Sequence, residues 1–157
     1  MEDDYDSEFR YNGNPLAALQ GLDVNNRVIY IGTFSKVLFP ALRLGYMVVP
    51  PDLIGTFIAA RSTMDQFPPM VPQAVIAEFI MEGHFTRHIR RMRKLYGEKR
   101  DVFVNAIEHY LGDAVTLKHA DAGMHITCWL NDGLSAGAVW KRACEHHVET
   151  IPLSVYY

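Results

Sequence analysis

Residues 28 to 46 read Val-Ile-Tyr-Ile-Gly-Thr-Phe-Ser-Lys-Val-Leu-Phe-Pro-Ala-Leu-Arg-Leu-Gly-Tyr. The β-branched and aromatic run from Val28 to Ile31 predicts a buried strand that breaks at Gly32. A second apolar run, from Leu44 to Val49, predicts another strand. The polar residues between the two runs therefore lie on a loop that two buried strands hold in place, where binding groups commonly collect.

The loop carries four residues that suit one kind of ligand. Thr33 and Ser35 supply hydroxyls, Lys36 supplies an amine, and Arg43 supplies a guanidinium seven residues beyond the lysine. An amine reacts with a carbonyl group, and a guanidinium beside hydroxyls binds phosphate. The loop thus predicts a ligand with both a carbonyl and a phosphate. On residue type alone, a lysine that follows a strand is more commonly a solvated surface residue.

The composition is that of a globular protein. The chain has 157 residues, of which 49% are hydrophobic and 21% charged, enough for one domain with a core. A net charge of −3 gives no overall attraction to nucleic acid or to anionic membranes. Cys128 and Cys144 lack Cys-x-x-Cys spacing, and the sequence has no signal-peptide or membrane-spanning pattern. We therefore expect a cytoplasmic protein with two reduced thiols.

Beyond the two strands, the pattern predicts helices followed by a second group of strands. The further predicted helices lie at about 53–64, from Pro72 to just before Gly83, at about 85–111 and at about 135–146. The further predicted strands lie at 115–118, 125–130 and 148–151. This order indicates an α/β protein made of two pieces that a long helix joins.

The lysine loop resembles a known cofactor motif. Residues 32–36, Gly-Thr-Phe-Ser-Lys, followed by 40–46, Pro-Ala-Leu-Arg-Leu-Gly-Tyr, are similar to the lysine motif of fold-type I pyridoxal-phosphate enzymes, the aminotransferase class I and II family. The resemblance implies that Lys36 is the catalytic residue and joins pyridoxal 5'-phosphate as a Schiff base. It also implies that Thr33 and Arg43 bind the cofactor phosphate, with Ser35 as a further contact to the phosphate or to Lys36.

The acidic start of the chain resembles a second cofactor motif of the same family. Residues 2–11 read Glu-Asp-Asp-Tyr-Asp-Ser-Glu-Phe-Arg-Tyr. The match implies that Asp3 pairs with the pyridine nitrogen and that Tyr5 bonds the phenolic oxygen of the cofactor. Asp4 is a rival for the role of Asp3, because two adjacent acids leave the register open. By composition alone this segment would be a frayed, solvated tail, and we expect Asp3 to lack the strand that should hold it.

The position of Tyr5 indicates a branch of the family. Standard aminotransferases usually place the tyrosine one residue further on, where this chain has Asp6, and the spacing seen here is similar to that of MocR-type regulators of the GntR superfamily. The resemblance implies an incomplete fold-type I, α/β architecture. Its expected domains are the end of the large pyridoxal-phosphate-binding domain at 1–83, a long connecting helix at 84–112 and part of the small C-terminal domain at 113–157.

The function that this resemblance implies is effector sensing. The chain is expected to be the aminotransferase-like part of a MocR/GntR-type regulator, with transaminase chemistry if it is active. Its expected partners are a small-molecule amine or amino acid and a second copy in a homodimer, but no membrane. One alternative is a fragment of a true amino-acid aminotransferase. Another is an inactive truncated module that acts only in packing or oligomerisation.

Both chain ends look like cuts through a larger fold. The family's winged-helix DNA-binding module and the first half of its large domain are expected to lie outside this sequence, so no DNA binding is expected of the chain itself. The basic residues between Arg87 and Arg100 favour the solvated side of a long amphipathic helix over a nucleic-acid surface. His84 and His88 have helical spacing, but the sequence identifies no third ligand, and no metal site is predicted.

Overall fold

The computed structural model describes residues 1–14, 16–65, 67–118, 121–131 and 133–157. The chain forms two compact units. The first unit comprises Met1–Gly97 and Asp121–Met124, and the second comprises Glu98–Ala120 and His125–Tyr157. The division between them falls within the longest helix of the chain.

The first unit alternates short strands with helices. Its elements are β1 (Glu2–Asp4), α1 (Leu19–Leu22), β2 (Tyr30–Thr33), α2 (Phe34–Val37), β3 (Gly45–Val48), α3 (Ile54–Met64), α4 (Met70–Met81) and the first part of α5 (His84–Leu111). Short 3-10 turns at Pro40–Leu42 and Pro51–Leu53 precede β3 and α3. The predicted helices that correspond to α3, α4 and α5 are confirmed, with boundaries shifted by one or two residues, which is ordinary for helix ends.

β2 is the middle strand of a three-stranded sheet in the order β1-β2-β3. β1 runs parallel to it, with Asp3 opposite Ile31, and β3 runs antiparallel to it, with Tyr46 opposite Gly32. Two expectations are therefore wrong: the strand does not break at Gly32, and Asp3 does not lack a supporting strand. Sequence patterns do not reveal β1, because its three residues are all acidic and the ladder of a strand is made by backbone groups, which every residue has.

The start of β2 also differs from the prediction, which placed it at Val28. The Val28 amide instead donates to the Asp23 carboxylate at 2.7 Å, and the Asn25 amide donates to the same carboxylate at 2.9 Å. An aspartate that accepts nearby backbone amides in this way forms a turn. The chain therefore enters the sheet only at Tyr30.

A small core joins three separate segments of the first unit. Phe9, Val37 and Ile89 are 0%, 2% and 8% exposed. Phe9 follows β1, Val37 ends α2, and Ile89 lies on α5. Burial of side chains of this size stabilises by about 2 kcal/mol each. The acidic segment and the helix that carries Lys36 are thus held by the same packing.

The segment Asp121–Met124 belongs to the first unit and pairs with the residues that follow β1. The Gly123 amide donates to the Phe9 carbonyl at 2.8 Å, and the Tyr11 hydroxyl donates to the Gly123 carbonyl at 2.9 Å. The Asp6 carboxylate accepts the amide of the last residue of the segment at 3.2 Å. A Cβ at Gly123 would lie 2.8 Å from the Asp6 carboxylate, so the close approach requires glycine.

The second unit contains the rest of α5, the antiparallel pair β4 (Val115–Lys118) and β5 (Thr127–Leu130), and α6 (Ala136–Glu145). These elements confirm the predicted strands at 115–118 and 125–130, the second of which begins two residues later, and the predicted helix at about 135–146. Ser135 caps α6, because its side-chain oxygen accepts the Ala138 amide at 3.5 Å.

The predicted strand at 148–151 is wrong. His147 adopts a left-handed conformation with φ 60°, and the Val148 amide then donates to the Ala143 carbonyl at 2.9 Å. These features end α6 and satisfy one of its last carbonyls. Residues 148–151 run on without strand pairing to a 3-10 turn at Leu153–Tyr156.

Helices α3 and α4 leave many large apolar side chains exposed. The exposed residues in and between these helices are Ile54, Ile58, Met64, Phe67, Met70, Val71, Val75, Ile80 and Met81. Many exposed apolar side chains in one segment are typical of regions that another part of a protein or a partner covers. Across the described residues, no helix is both long enough and apolar enough to span a membrane.

Candidate functional site

The predicted cofactor lysine sits in a single helical turn directly after β2. Thr33 caps this turn, α2, because its side-chain oxygen accepts the Ser35 amide at 3.1 Å, while its hydroxyl donates to the Leu44 carbonyl at 3.4 Å. Lys36 is exposed, and the next residue, Val37, is in the core. The lysine amine is therefore free to reach a ligand from a backbone that is anchored on both sides.

Arg43 is held in an unusual backbone conformation. It follows the 3-10 turn Pro40–Leu42 and has φ 49° and ψ 36°, in the left-handed region. This region costs a residue with a side chain roughly 1–2 kcal/mol, and strain of this kind clusters at functional sites. The guanidinium is exposed on the return from the lysine turn to β3.

The adjacent acids Asp3 and Asp4 face opposite sides of the sheet. Successive side chains of a strand alternate between its faces, and directly paired residues share a face. Asp3 pairs with Ile31 and therefore shares a face with Thr33, two residues further along β2. Asp4 pairs with Gly32 and lies on the other face. The structure thus brings Asp3, but not Asp4, to the face that presents the cap of the lysine turn.

The other face of the sheet carries a tyrosine that sequence reasoning missed. The Tyr30 hydroxyl donates to the Asp4 carboxylate at 2.9 Å, and its ring lies beside that of Tyr46 with centroids 6.0 Å apart. Burial raises the pKa of the Tyr30 hydroxyl, and hydrogen bonds to Tyr46 and Asp4 raise it further. Only the register of β1 against β2 reveals this pair, because the sequence does not record that the two strands are neighbours.

Tyr5 and Asp6 follow β1 and differ in their surroundings. Tyr5 is 47% exposed, immediately beyond the strand that carries Asp3. Asp6, at the position where the family resemblance leads us to expect a tyrosine, accepts the amide of Met124 at 3.2 Å. Asp6 therefore has a packing role with the segment Asp121–Met124.

The side chains fit pyridoxal phosphate in their chemistry. Within the described residues, Asp3, Lys36 and Arg43 form no side-chain ion pair or hydrogen bond, so one acid, one amine and one guanidinium are available. They match the pyridine nitrogen, the aldehyde and the phosphate of that cofactor. Thr33 adds a hydroxyl at the start of the lysine turn.

The histidines singled out by spacing have ordinary contacts. His84 pairs with Glu82 at 2.9 Å and with Arg87 at 2.7 Å, and His88 contacts the Val37 carbonyl at 2.8 Å. In the part of the chain that the structure describes, no cluster of three or more His, Cys, Asp or Glu side chains is arranged to hold a metal ion.

Sequence comparison assigns the family. The family described as "Aminotransferase class I and II" matches residues 6–157. The chain belongs to the aminotransferase class I and II family. The predicted resemblance and the fold-type I, α/β class are confirmed.

Relatives in this family include regulators. The chain is 46% identical over 154 residues to the probable rhizopine catabolism regulatory protein MocR of Rhizobium meliloti, covering 98% of this chain and 31% of that protein. It is 43% identical to the uncharacterized HTH-type transcriptional regulator YhdI of Bacillus subtilis, covering 100% of this chain and 34% of that protein. The chain thus spans about a third of the length of these relatives.

Solved structures of similar fold include aminotransferases. The kynurenine aminotransferase of Pyrococcus horikoshii, in complex with PMP, has a TM-score of 0.90 and 35% identity, covering 99% of this chain and 39% of that one. The α-aminoadipate aminotransferase LysN of Thermus thermophilus, complexed with N-(5'-phosphopyridoxyl)-L-leucine, has a TM-score of 0.85 and 32% identity over 96% of this chain and 39% of that one. Both structures contain a pyridoxal-type ligand, which supports the predicted cofactor.

Proposed function

We propose that this chain is a pyridoxal-phosphate-binding, aminotransferase-like domain that senses an effector for a MocR/GntR-type transcriptional regulator. The observation that carries the proposal is the shared sheet face of Asp3 and Thr33, with Lys36 one helical turn away. The 46% identity to the Rhizobium meliloti regulator supports the regulator branch.

Each site residue has a distinct role in this proposal. The Lys36 amine would hold the cofactor through its aldehyde, and the amine of a ligand would compete with Lys36 for that position. Thr33, Ser35 and Arg43 hold the phosphate, with Arg43 as the charged donor. Asp3 keeps the pyridine nitrogen protonated, and Tyr5 donates to the phenolic oxygen.

The cofactor supplies an electron sink, which stabilises negative charge on the carbon next to the amine of a bound ligand. In a full catalytic cycle, Lys36 is the base that removes and returns the proton at that carbon. A sensor would need only the competition between the ligand amine and Lys36, because Lys36 would contact different groups with and without that ligand. That difference in contacts biases a conformational equilibrium, which is the output of the sensor.

The partners in this proposal are a small-molecule amine or amino acid and a second copy of the chain. The exposed apolar residues of α3 and α4 support self-association, since surfaces of this kind are seldom left in water. DNA recognition belongs, in this proposal, to a module outside this sequence.

Spectroscopy on the purified chain tests the proposal. Titration with pyridoxal phosphate should produce a visible absorption band that the substitution Lys36→Ala abolishes. Lys141→Ala, at an exposed position of α6, is the matched control and should leave the band intact. Absence of a Lys36-dependent band in the unmodified chain contradicts the proposal and favours an inactive packing module.

A second candidate function is that of a true aminotransferase fragment. Its support is the likeness to the kynurenine aminotransferase, with a TM-score of 0.90 and 35% identity. A panel of amino acids separates the two candidates once the cofactor is bound. Stoichiometric conversion of the cofactor to its pyridoxamine form indicates the enzyme, whereas a spectral change that reverses on removal of the amino acid indicates the sensor.

A further inference from the structure

The Asp4 carboxylate is the most heavily hydrogen-bonded acid near the candidate site. It accepts the Tyr30 hydroxyl at 2.9 Å, the Ser7 hydroxyl at 2.6 Å and the Ser7 amide at 3.1 Å. Bonds to an ionised acceptor are about twice as strong as those between neutral groups. Asp4 is therefore tied both to the middle strand of the sheet and to the turn that leads away from β1.

This network lies on the face of the sheet opposite Asp3. A parallel register sets Glu2 against Tyr30 and Asp4 against Gly32, so Tyr30 and Asp4 share one face. The Tyr30 ring is held from the side by Tyr46, whose own ring occupies the space next to Gly32. The Tyr30 hydroxyl, like that of any tyrosine, is protonated at neutral pH, and burial raises its pKa further, so it can donate to Asp4.

The short strand β1 needs such a restraint. It has three residues, and a slip of one residue would turn Asp4 to the face of Thr33 and Asp3 away from it. A strand with an acid at each of its positions has no apolar side that would prevent this slip. The bond between Asp4 and Tyr30 forms in the observed register, whereas a one-residue slip would place the two side chains on opposite faces.

We propose that Asp4 and Tyr30 are positioning residues that lock the register of β1 and thereby aim Asp3 at the pyridine nitrogen of the cofactor. The inference rests on the proposed function for the role of Asp3. The two adjacent acids then have different roles: Asp3 binds the cofactor, and Asp4 fixes the register of β1. Ser7, in the turn after β1, also holds the Asp4 carboxylate through its amide and its hydroxyl.

Amide hydrogen exchange on the cofactor-free chain tests the lock by itself. Tyr30→Phe removes the hydroxyl and keeps the ring, and we expect faster exchange of the amides of residues 3–7, by roughly tenfold for loss of one bond to a charged group. Tyr110→Phe makes the same chemical change at an exposed position of α5 and should leave these amides unchanged. Unchanged exchange in Tyr30→Phe overturns the lock.

Cofactor titration tests whether the lock acts through Asp3. Tyr30→Phe should weaken pyridoxal-phosphate binding by roughly tenfold and shift the pH at which the bound cofactor changes its spectrum. Both effects should vanish when Asp3 is already replaced in the double variant Asp3→Asn/Tyr30→Phe, compared with Asp3→Asn alone. Equal effects with and without Asp3 indicate a general structural role and overturn the proposal.

A graded pair of substitutions at Asp4 completes the test. Asp4→Asn keeps an oxygen acceptor for Tyr30 and should bind the cofactor more tightly than Asp4→Ala does. The reverse order overturns the positioning role. Absence of a Lys36-dependent absorption band in the unmodified chain would instead refute the proposed function. The hydrogen-exchange experiment would still test the register lock, because it is done without cofactor.

Discussion

The imidazole Nε2 of His88 lies 2.8 Å from the backbone carbonyl of Val37, the residue that follows Lys36. The lysine turn α2 is four residues long, and the Leu38 amide closes it on the Phe34 carbonyl, so the carbonyls at its end lack partners inside the turn. The histidine donates to one of them from α5 and therefore carries its proton on Nε2. Thr33 restrains the start of the turn, His88 its end, and the buried side chain of Val37 its inner side.

Removal of this bond should loosen the lysine turn without unfolding the chain. We expect His88→Ala to cost about 1 kcal/mol of unfolding free energy and to speed amide exchange in residues 34–38. His88→Gln keeps a side-chain N–H donor and should recover part of the loss. His84→Ala, at an exposed position one turn earlier, is the control and should leave the exchange of 34–38 as it is. Equal behaviour of His84→Ala and His88→Ala would refute the role of His88.

Gly32 should not tolerate a side chain. A Cβ built at Gly32 would overlap the Tyr46 ring, which packs against Phe34 with centroids 5.1 Å apart, so that ring would have to shift. We expect Gly32→Ala to lower the free energy of unfolding by about 1–3 kcal/mol, as overpacked sites do. Chemical denaturation measures the change.

Two further variants make this prediction specific. Gly55→Ala places a methyl group in α3 where no atom lies within 4 Å, and it should leave stability unchanged or raise it by about 1 kcal/mol. In the double variant Gly32→Ala/Tyr46→Leu, the smaller side chain should relieve the clash and restore part of the loss. An unaltered midpoint for Gly32→Ala alone would refute the contact.

Arg43 should separate stability from phosphate binding. Its left-handed backbone, with φ 49°, suits glycine better than arginine, so Arg43→Gly should keep or raise the free energy of unfolding, by up to about 1 kcal/mol. The same substitution removes the guanidinium and should weaken binding of pyridoxal phosphate by at least roughly tenfold. Arg61→Gly, in the helix α3, is the contrasting control and should lose about 1 kcal/mol of stability. A clear loss of stability in Arg43→Gly would contradict the strain argument.

The residues of the candidate site could be predicted from the sequence, but their arrangement in space could not. The apolar runs flanking Lys36 predict strands, because buried strands need side chains of that type whatever their partners are. The choice between Asp3 and Asp4 depends on the pairing with Ile31 and Gly32, and no local pattern records which strands pair.

At two other places the structure differs from the sequence-based prediction because of backbone contacts that the local sequence pattern does not show. The acidic strand β1 exists because β2 offers it backbone partners, although its own residues disfavour strands. Residues 148–151 have strand-type side chains, but the Val148 amide closes α6 instead. In β1, backbone pairing therefore forms a strand that the side chains disfavour. At 148–151, a backbone bond to α6 prevents a strand that the side chains favour.

Glu8 should make the chain less stable as the pH rises. Burial raises the pKa of its carboxyl above the ordinary 4.5, its own backbone amide and Arg93 lower it, and the carboxylates of Asp4 and Asp6 raise it further. A group whose pKa is raised on folding favours the folded state below its unfolded pKa, and this contribution is lost as the pH rises through the folded value.

The substitution Glu8→Gln removes this penalty, because the amide is neutral at every pH. We therefore expect Glu8→Gln to have a higher melting temperature than the unmodified chain at about pH 7, with the difference shrinking as the pH is lowered through about 4. Glu149→Gln, at an exposed position, is the control and should show no such trend. A difference that grows on acidification would mean that Glu8 gains a favourable partner on folding, which would contradict desolvation as the dominant cause of its raised pKa.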